Sequence, residues 1–171
     1  MSFGDYVKKG WEVVQLKKEA IKELAADEKA FGPAIGIIAL SGVAMALGML
    51  NWPGIVFFPI MRLVGAFVFV AIIHFAATAF FGGKGQFKEV FSPLGCAVLI
   101  SWIGVIPFLG TVLGVLAGLW LLVVAVVVVE EAHQIERPKA IAVVAIPVVL
   151  FLIIAGITAA IVGLTALALI S

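Results

Sequence analysis

Four ionisable side chains in an otherwise apolar stretch of chain could do chemistry: His74, Glu130, Glu131 and His133. Glu130 and His133 stand three residues apart, which puts them on one face of a helix. Such a Glu-x-x-His pair, joined by a histidine from a second helix, is a workable donor set for a divalent metal. Adjacent glutamates point about 100° apart on a helix, so Glu130 or Glu131 is expected to face inward and meet His74 in a polar contact. His133 would then complete the site around a water or a metal ion. His74 lies eight residues before Gly82, about 12 Å from the end of its helix. The simpler expectation is that His74 donates to a backbone carbonyl or hydroxyl and that the acidic pair is solvated. Apart from such a divalent metal, no cofactor is expected.

The elements that must position these residues are membrane helices. The chain has 171 residues, of which 64% are hydrophobic and only 12% charged, against an apolar content of roughly 45–50% in soluble domains. Of its 21 charged residues, 12 fall in residues 1–30, so the chain divides into a charged arm, 1–30, and a membrane body, 31–171. A formal net charge of +1 lacks the basic face of a nucleic-acid-binding protein. The single cysteine, Cys96, rules out an internal disulfide framework.

Residues 1–30 lack the uninterrupted apolar core and small-residue cleavage site of a signal peptide. Val7, Trp11, Val14, Ile21, Leu24 and Ala25 recur at helical spacing, which predicts an amphipathic surface helix. Trp11 would anchor it among lipid headgroups, or the helix would pack on the protein's own loops. Five apolar segments follow, each near the ~20 residues that a ~30 Å hydrocarbon core requires. They are expected at about 33–50, 59–81, 87–107, 109–129 and 138–170. Starting the second at Pro59 would put Arg62 at the membrane edge, where it could snorkel to water. The fifth is longer than a crossing needs, so it must tilt, kink at Pro147 or protrude.

Connectors NWPG (51–54) and PFLG (107–110) carry no charge, whereas Lys84, Lys88, Arg137 and Lys139 flank the other two. By the excess of Lys and Arg on cytoplasmic loops, the arm and the basic connectors are expected in the cytoplasm, and the C-terminus ending LALIS outside the cell membrane. The fold class is therefore all-α: a polytopic membrane protein of five transmembrane helices with an N-terminal amphipathic cytoplasmic helix.

Signatures of catalysis are missing. GGKG (82–85) lacks the spacing and the following Ser or Thr of a phosphate-binding loop, and neither H-E-x-x-H nor G-x-S-x-G occurs. Small residues four apart, such as Gly32 and Gly36 or Gly110, Gly114 and Gly118, form ridges that let helices approach closely, within the chain or toward another subunit.

The order of a charged arm, five spans, GGKGQF (82–87) between the second and third, and EEAHQIERPKA (130–140) between the fourth and fifth resembles the Yip1 domain family, particularly its prokaryotic members. The resemblance runs over about residues 20–165. It implies a non-enzymatic integral membrane protein. Eukaryotic members are trafficking proteins of the early secretory pathway that associate with Rab-type GTPases and with one another; their long cytoplasmic region is not found here, which weakens the expectation of a GTPase partner. The partners expected are the lipid bilayer and a second copy or other membrane proteins, and no nucleic acid. Two alternatives are a small ion or solute transporter using His74, and a metal-dependent membrane enzyme using His74, Glu130, Glu131 and His133.

Overall fold

Residues Val90 to Ala97 are buried without interruption, the pattern of a helix covered on every side. Small residues among them, Ser92, Gly95, Cys96 and Ala97, let the neighbours close in. In the computed structural model, which describes the backbone of residues 1–170 and side chains through residue 163 and at Thr165, this stretch lies in α5 (Phe87–Ala97) at the centre of a helical bundle. Around it pack α1 (Phe3–Val14), α2 (Lys18–Ala26), α3 (Phe31–Gly48), α4 (Gly54–Phe81) and α6 (Gly110–His133). The last helix, α7 (Arg137–Ile170), packs on α4 and α6. No strand occurs among the described residues.

Five segments are long and apolar enough to cross a membrane: Phe31–Gly48, Gly54–Phe81, Phe87–Val105, Gly110–His133 and Arg137–Gly163. The chain is an all-helical membrane protein. Its third span differs from the uninterrupted α-helix expected, because α5 passes into a 3-10 stretch, Val98–Val105. The larger rise of a 3-10 helix lengthens these 19 residues from about 28 Å to about 32 Å, enough to match the hydrocarbon core.

The second span also begins earlier than expected. Pro53 occupies the position before Gly54, and the Asn51 side chain accepts the Gly54 N–H at 3.0 Å, so α4 is nucleated there. Pro59 sits inside the helix against Gly42, where a side chain would collide with the Pro59 backbone. Arg62 consequently lies about 12 Å inside α4 rather than at its edge. The fifth span is one continuous helix in which Ala140, Val143, Val144 and Pro147 are buried, while Val149 to Gly163 are exposed beyond the packed part. Ser171, the end of the segment expected outside the membrane, is outside the described residues.

The arm is two helices rather than one. Leu16 adopts a left-handed backbone, φ 62°, and the chain turns back on itself there. α1 does not run along the bundle but across it: Phe3 lies against Gly36 of α3, Gly10 against the Cys96 backbone and the Leu99 side chain, and the indole N–H of Trp120 on α6 donates to the Val14 carbonyl at 2.9 Å. Its 12 residues span about 18 Å, the width of three helices packed 8–10 Å apart. Tyr6, Val13, Val14, Ile21 and Leu24 of the arm join the same apolar core as Ile37, Ile73, Phe91, Val128 and Val143.

Candidate functional site

The charged end of the bundle is assembled around the turn from α4 to α5. Gly82, at φ 69°, ends α4 in the left-handed conformation that glycine adopts at least cost. Gly83 and Gly85 then run against the last turn of α6. A Cβ on Gly83 would lie 2.8 Å from His133 Nδ1, and one on Gly85 would collide with the Ala132 carbonyl. The Lys84 N–H donates to the His133 carbonyl at 3.2 Å, satisfying one of the free carbonyls at the end of α6. Gln86 and Glu89 close α5 with a capping box, the Gln86 N–H donating to Glu89 Oε2 at 2.7 Å. GGKGQF is thus a turn whose glycines admit a backbone-to-backbone contact with the end of α6.

Among the four candidate residues, the structure joins the histidines and separates the glutamates. The His74 and His133 rings lie 5.3 Å apart between centroids, and Phe87 meets His74 edge-on at 6.2 Å. His133 is fully buried. His74 Nδ1 and both ring nitrogens of His133 are buried without a hydrogen-bond partner among the described residues. The expected His74–glutamate contact is not made, because α2 presents lysines to the acidic face of α6. Glu131 pairs with Lys18 at 2.5 Å and Lys22 at 3.2 Å, and Glu130 with Arg137 at 2.8 Å and Lys18 at 3.3 Å. Glu130 and Glu131 therefore bind the arm to α6 and α7, and they hold the Lys18 ammonium above its ordinary value, Glu131 more strongly than Glu130.

Chemically, the pair supplies two imidazoles whose ring nitrogens His74 Nδ1, His133 Nδ1 and His133 Nε2 are free to hold a polar guest. No group of three or more His, Cys, Asp or Glu side chains is placed to hold a metal among the described residues. A site using all four candidates would require Glu130 and Glu131 to leave their ion pairs.

Sequence reasoning missed a second polar contact at this end. The Tyr6 hydroxyl donates to Asp27 Oδ2 at 2.7 Å, tying the start of α1 to the end of α2. The bond holds the Asp27 carboxyl below its ordinary value and pushes the Tyr6 phenol up to about 12. A lone tyrosine within an amphipathic segment was the available signal, since a buried Tyr hydroxyl usually finds a partner.

A family model described as the Yip1 domain matches residues 5–169. It takes in nearly all of α1 together with the five membrane helices. No curated protein and no solved structure matches the chain.

Proposed function

The chain belongs to the Yip1 domain family, and from that premise we propose that it is a non-enzymatic membrane-organising protein whose N-terminal arm is a two-helix strap embedded in the cytoplasmic leaflet. The observation that carries this reading is the set of three faces on α1. Tyr6, Gly10, Val13 and Val14 face the bundle and are buried. Asp5, Lys8, Lys9 and Glu12 lie on the opposite side at helical spacing. Between them runs an apolar ridge, Phe3–Val7–Trp11, that the bundle covers only in part: Val7 packs against the core and one edge of Phe3 meets Gly36, but Phe3 and Trp11 remain 46% and 49% exposed. In a helix lying across a membrane bundle, such a ridge suits lipid and the charged face suits water.

The start of α1 lies at interfacial depth: Gly36, which meets Phe3, is five residues inside α3, about 7 Å, within the ~5–10 Å to which interfacial helices bury their apolar faces. Toward its C-terminal end α1 slopes deeper, since Gly10 meets Cys96 nine residues inside α5, about 14 Å from the start of that helix. The strap adds a footprint of roughly 180 Å² to one leaflet, from a length of about 18 Å and a width of about 10 Å. Its counterpart at the other end is two short charge-free connectors, so the protein is broader in one leaflet than in the other and would favour curvature toward that side. The basic connectors support a cytoplasmic placement of the strap.

Reconstitution into large vesicles at rising protein content tests this reading by electron microscopy. The full chain should narrow or tubulate the vesicles. Gly10→Leu, whose side chain would drive α1 off the Cys96 backbone, and a chain lacking residues 1–28 should both leave vesicles round at equal incorporation. Equal deformation by all three would contradict the proposal.

A further inference from the structure

We propose that Arg62 holds the headgroup of one anionic phospholipid, in a site independent of the strap. Arg62 is half-buried and stands eight residues inside α4. Among the described residues, every ion pair is made by Lys9, Lys18, Lys22 or Arg137, and none by Arg62. Among the described residues no carboxylate side chain stands near it, because all ten Asp and Glu residues of the chain belong to the arm or flank the connectors at the charged end, whereas Arg62 lies toward the uncharged one. A guanidinium among apolar helices without a counter-ion is costly. Its anion must come from outside the chain.

The surroundings of Arg62 have two parts, as an amphiphile has. Toward the uncharged end, Arg62, Ser101, Thr111 and Gly104 line a cavity of about 210 Å³. At ~30 Å³ per water, that is room for a group of about seven water volumes, such as a phosphate with the first atoms of its glycerol. The guanidinium fork suits two phosphate oxygens, and two hydroxyl-bearing side chains lie in the same wall. On the other side of Arg62, a cavity of about 290 Å³ is lined by Gly65, Phe69, Leu94 and Gly118. It shares Gly65, Phe69 and Gly118 with a groove of about 430 Å³ between α4, α6 and α7, which is apolar and fits acyl chain. A Cβ on Gly65 or Gly118 would meet no atom within 4 Å, so these glycines keep the groove open. With a cation and no acid in its wall, the site has nothing to match a choline ammonium, and it selects a headgroup with net negative charge.

Native mass spectrometry of the full chain tests the assignment, using equal amounts of phosphatidylglycerol and phosphatidylcholine with identical acyl chains. The unmodified protein should retain one phosphatidylglycerol with a preference of about tenfold, equal to about 1.4 kcal/mol. Arg62→Gln should bring the preference to near unity, and Arg62→Lys should keep part of it. Gly118→Leu, which fills the groove and leaves Arg62 in place, should lose the retained lipid and decides the matter alone if Arg62→Gln does not fold. Undiminished preference in Arg62→Gln, or an undisturbed lipid in Gly118→Leu, would overturn the proposal. So would thermal stabilisation by inorganic phosphate equal to that by phosphatidylglycerol, which would show a free-anion site instead.

Discussion

His74 and His133 meet where their neighbours make room for both: Gly83 removes the side chain that would separate α6 from the turn, and Phe87 closes the His74 ring from the side. Both histidines could be singled out from the sequence as ionisable groups on membrane helices, yet their partners could not. Helical spacing placed Glu130 on one face with His133, but the choice between histidine and lysine as the partner of a glutamate depends on α2, an element distant in sequence. Lys18 and Lys22 win because an exposed ammonium at the boundary gains a carboxylate without desolvating it, whereas a buried imidazole would have to become charged in apolar surroundings. A double-mutant cycle read by thermal stability in detergent separates these partners. His74→Ala with His133→Ala should show coupling of about 0.5 kcal/mol or more, the range found for residues in contact. His74→Ala with Glu131→Gln should be additive. Coupling confined to the second pair would refute the observed arrangement.

At the scale of elements, five membrane helices follow from apolar run length alone, and the connectors that end them follow from Gly and Pro. The two-helix strap does not. Its break at Leu16 has no Gly or Pro to announce it, and the close approach of Gly10 to Cys96 is a property of two elements that neither reveals separately. The sequence pattern put Val7, Trp11 and Val14 on one apolar face, whereas the structure buries Val14 with Tyr6, Gly10 and Val13 and leaves Trp11 exposed; periodicity sees one broad apolar face where the structure uses two. The Tyr6–Asp27 bond gives the strap a pH dependence. Asp27 is held below its ordinary value, so its contribution is present above 3.8 and is lost as pH falls below it. Tyr6 is raised, so its contribution is complete below 10.0 and is lost as pH climbs toward about 12. Protection of α1 amides in hydrogen exchange should therefore fall at acid pH. Tyr6→Phe should flatten the dependence and cost about 0.5–1.5 kcal/mol, the net worth of one hydrogen bond. An acid dependence unchanged in Tyr6→Phe would exclude this bond as its source.

As a whole, the molecule is a bundle around α5 with a strap across three of its helices at the charged end and, toward the uncharged one, Arg62, which makes no ion pair among the described residues. The asymmetry of charge that suggested an orientation is the asymmetry that the strap builds on. With Cys96→Ala as background, cysteines at Lys84 and Arg137 should react with an impermeant reagent only from the cytoplasmic side, and one at Asn51 only from the opposite side. Reaction of Asn51 and Lys84 from the same side would break the five-span topology. The central claim, that α1 lies in the interface with one face on lipid, is tested most directly by spin labels at Trp11 and at Lys8 in the reconstituted Cys96→Ala protein. Their relaxation is compared in the presence of oxygen, which concentrates in lipid, and of a water-soluble nickel chelate. The strap predicts that the label at Trp11 responds mainly to oxygen and the label at Lys8, about a quarter-turn or less away, mainly to nickel. Dominant nickel accessibility at both positions would place α1 in water and contradict it.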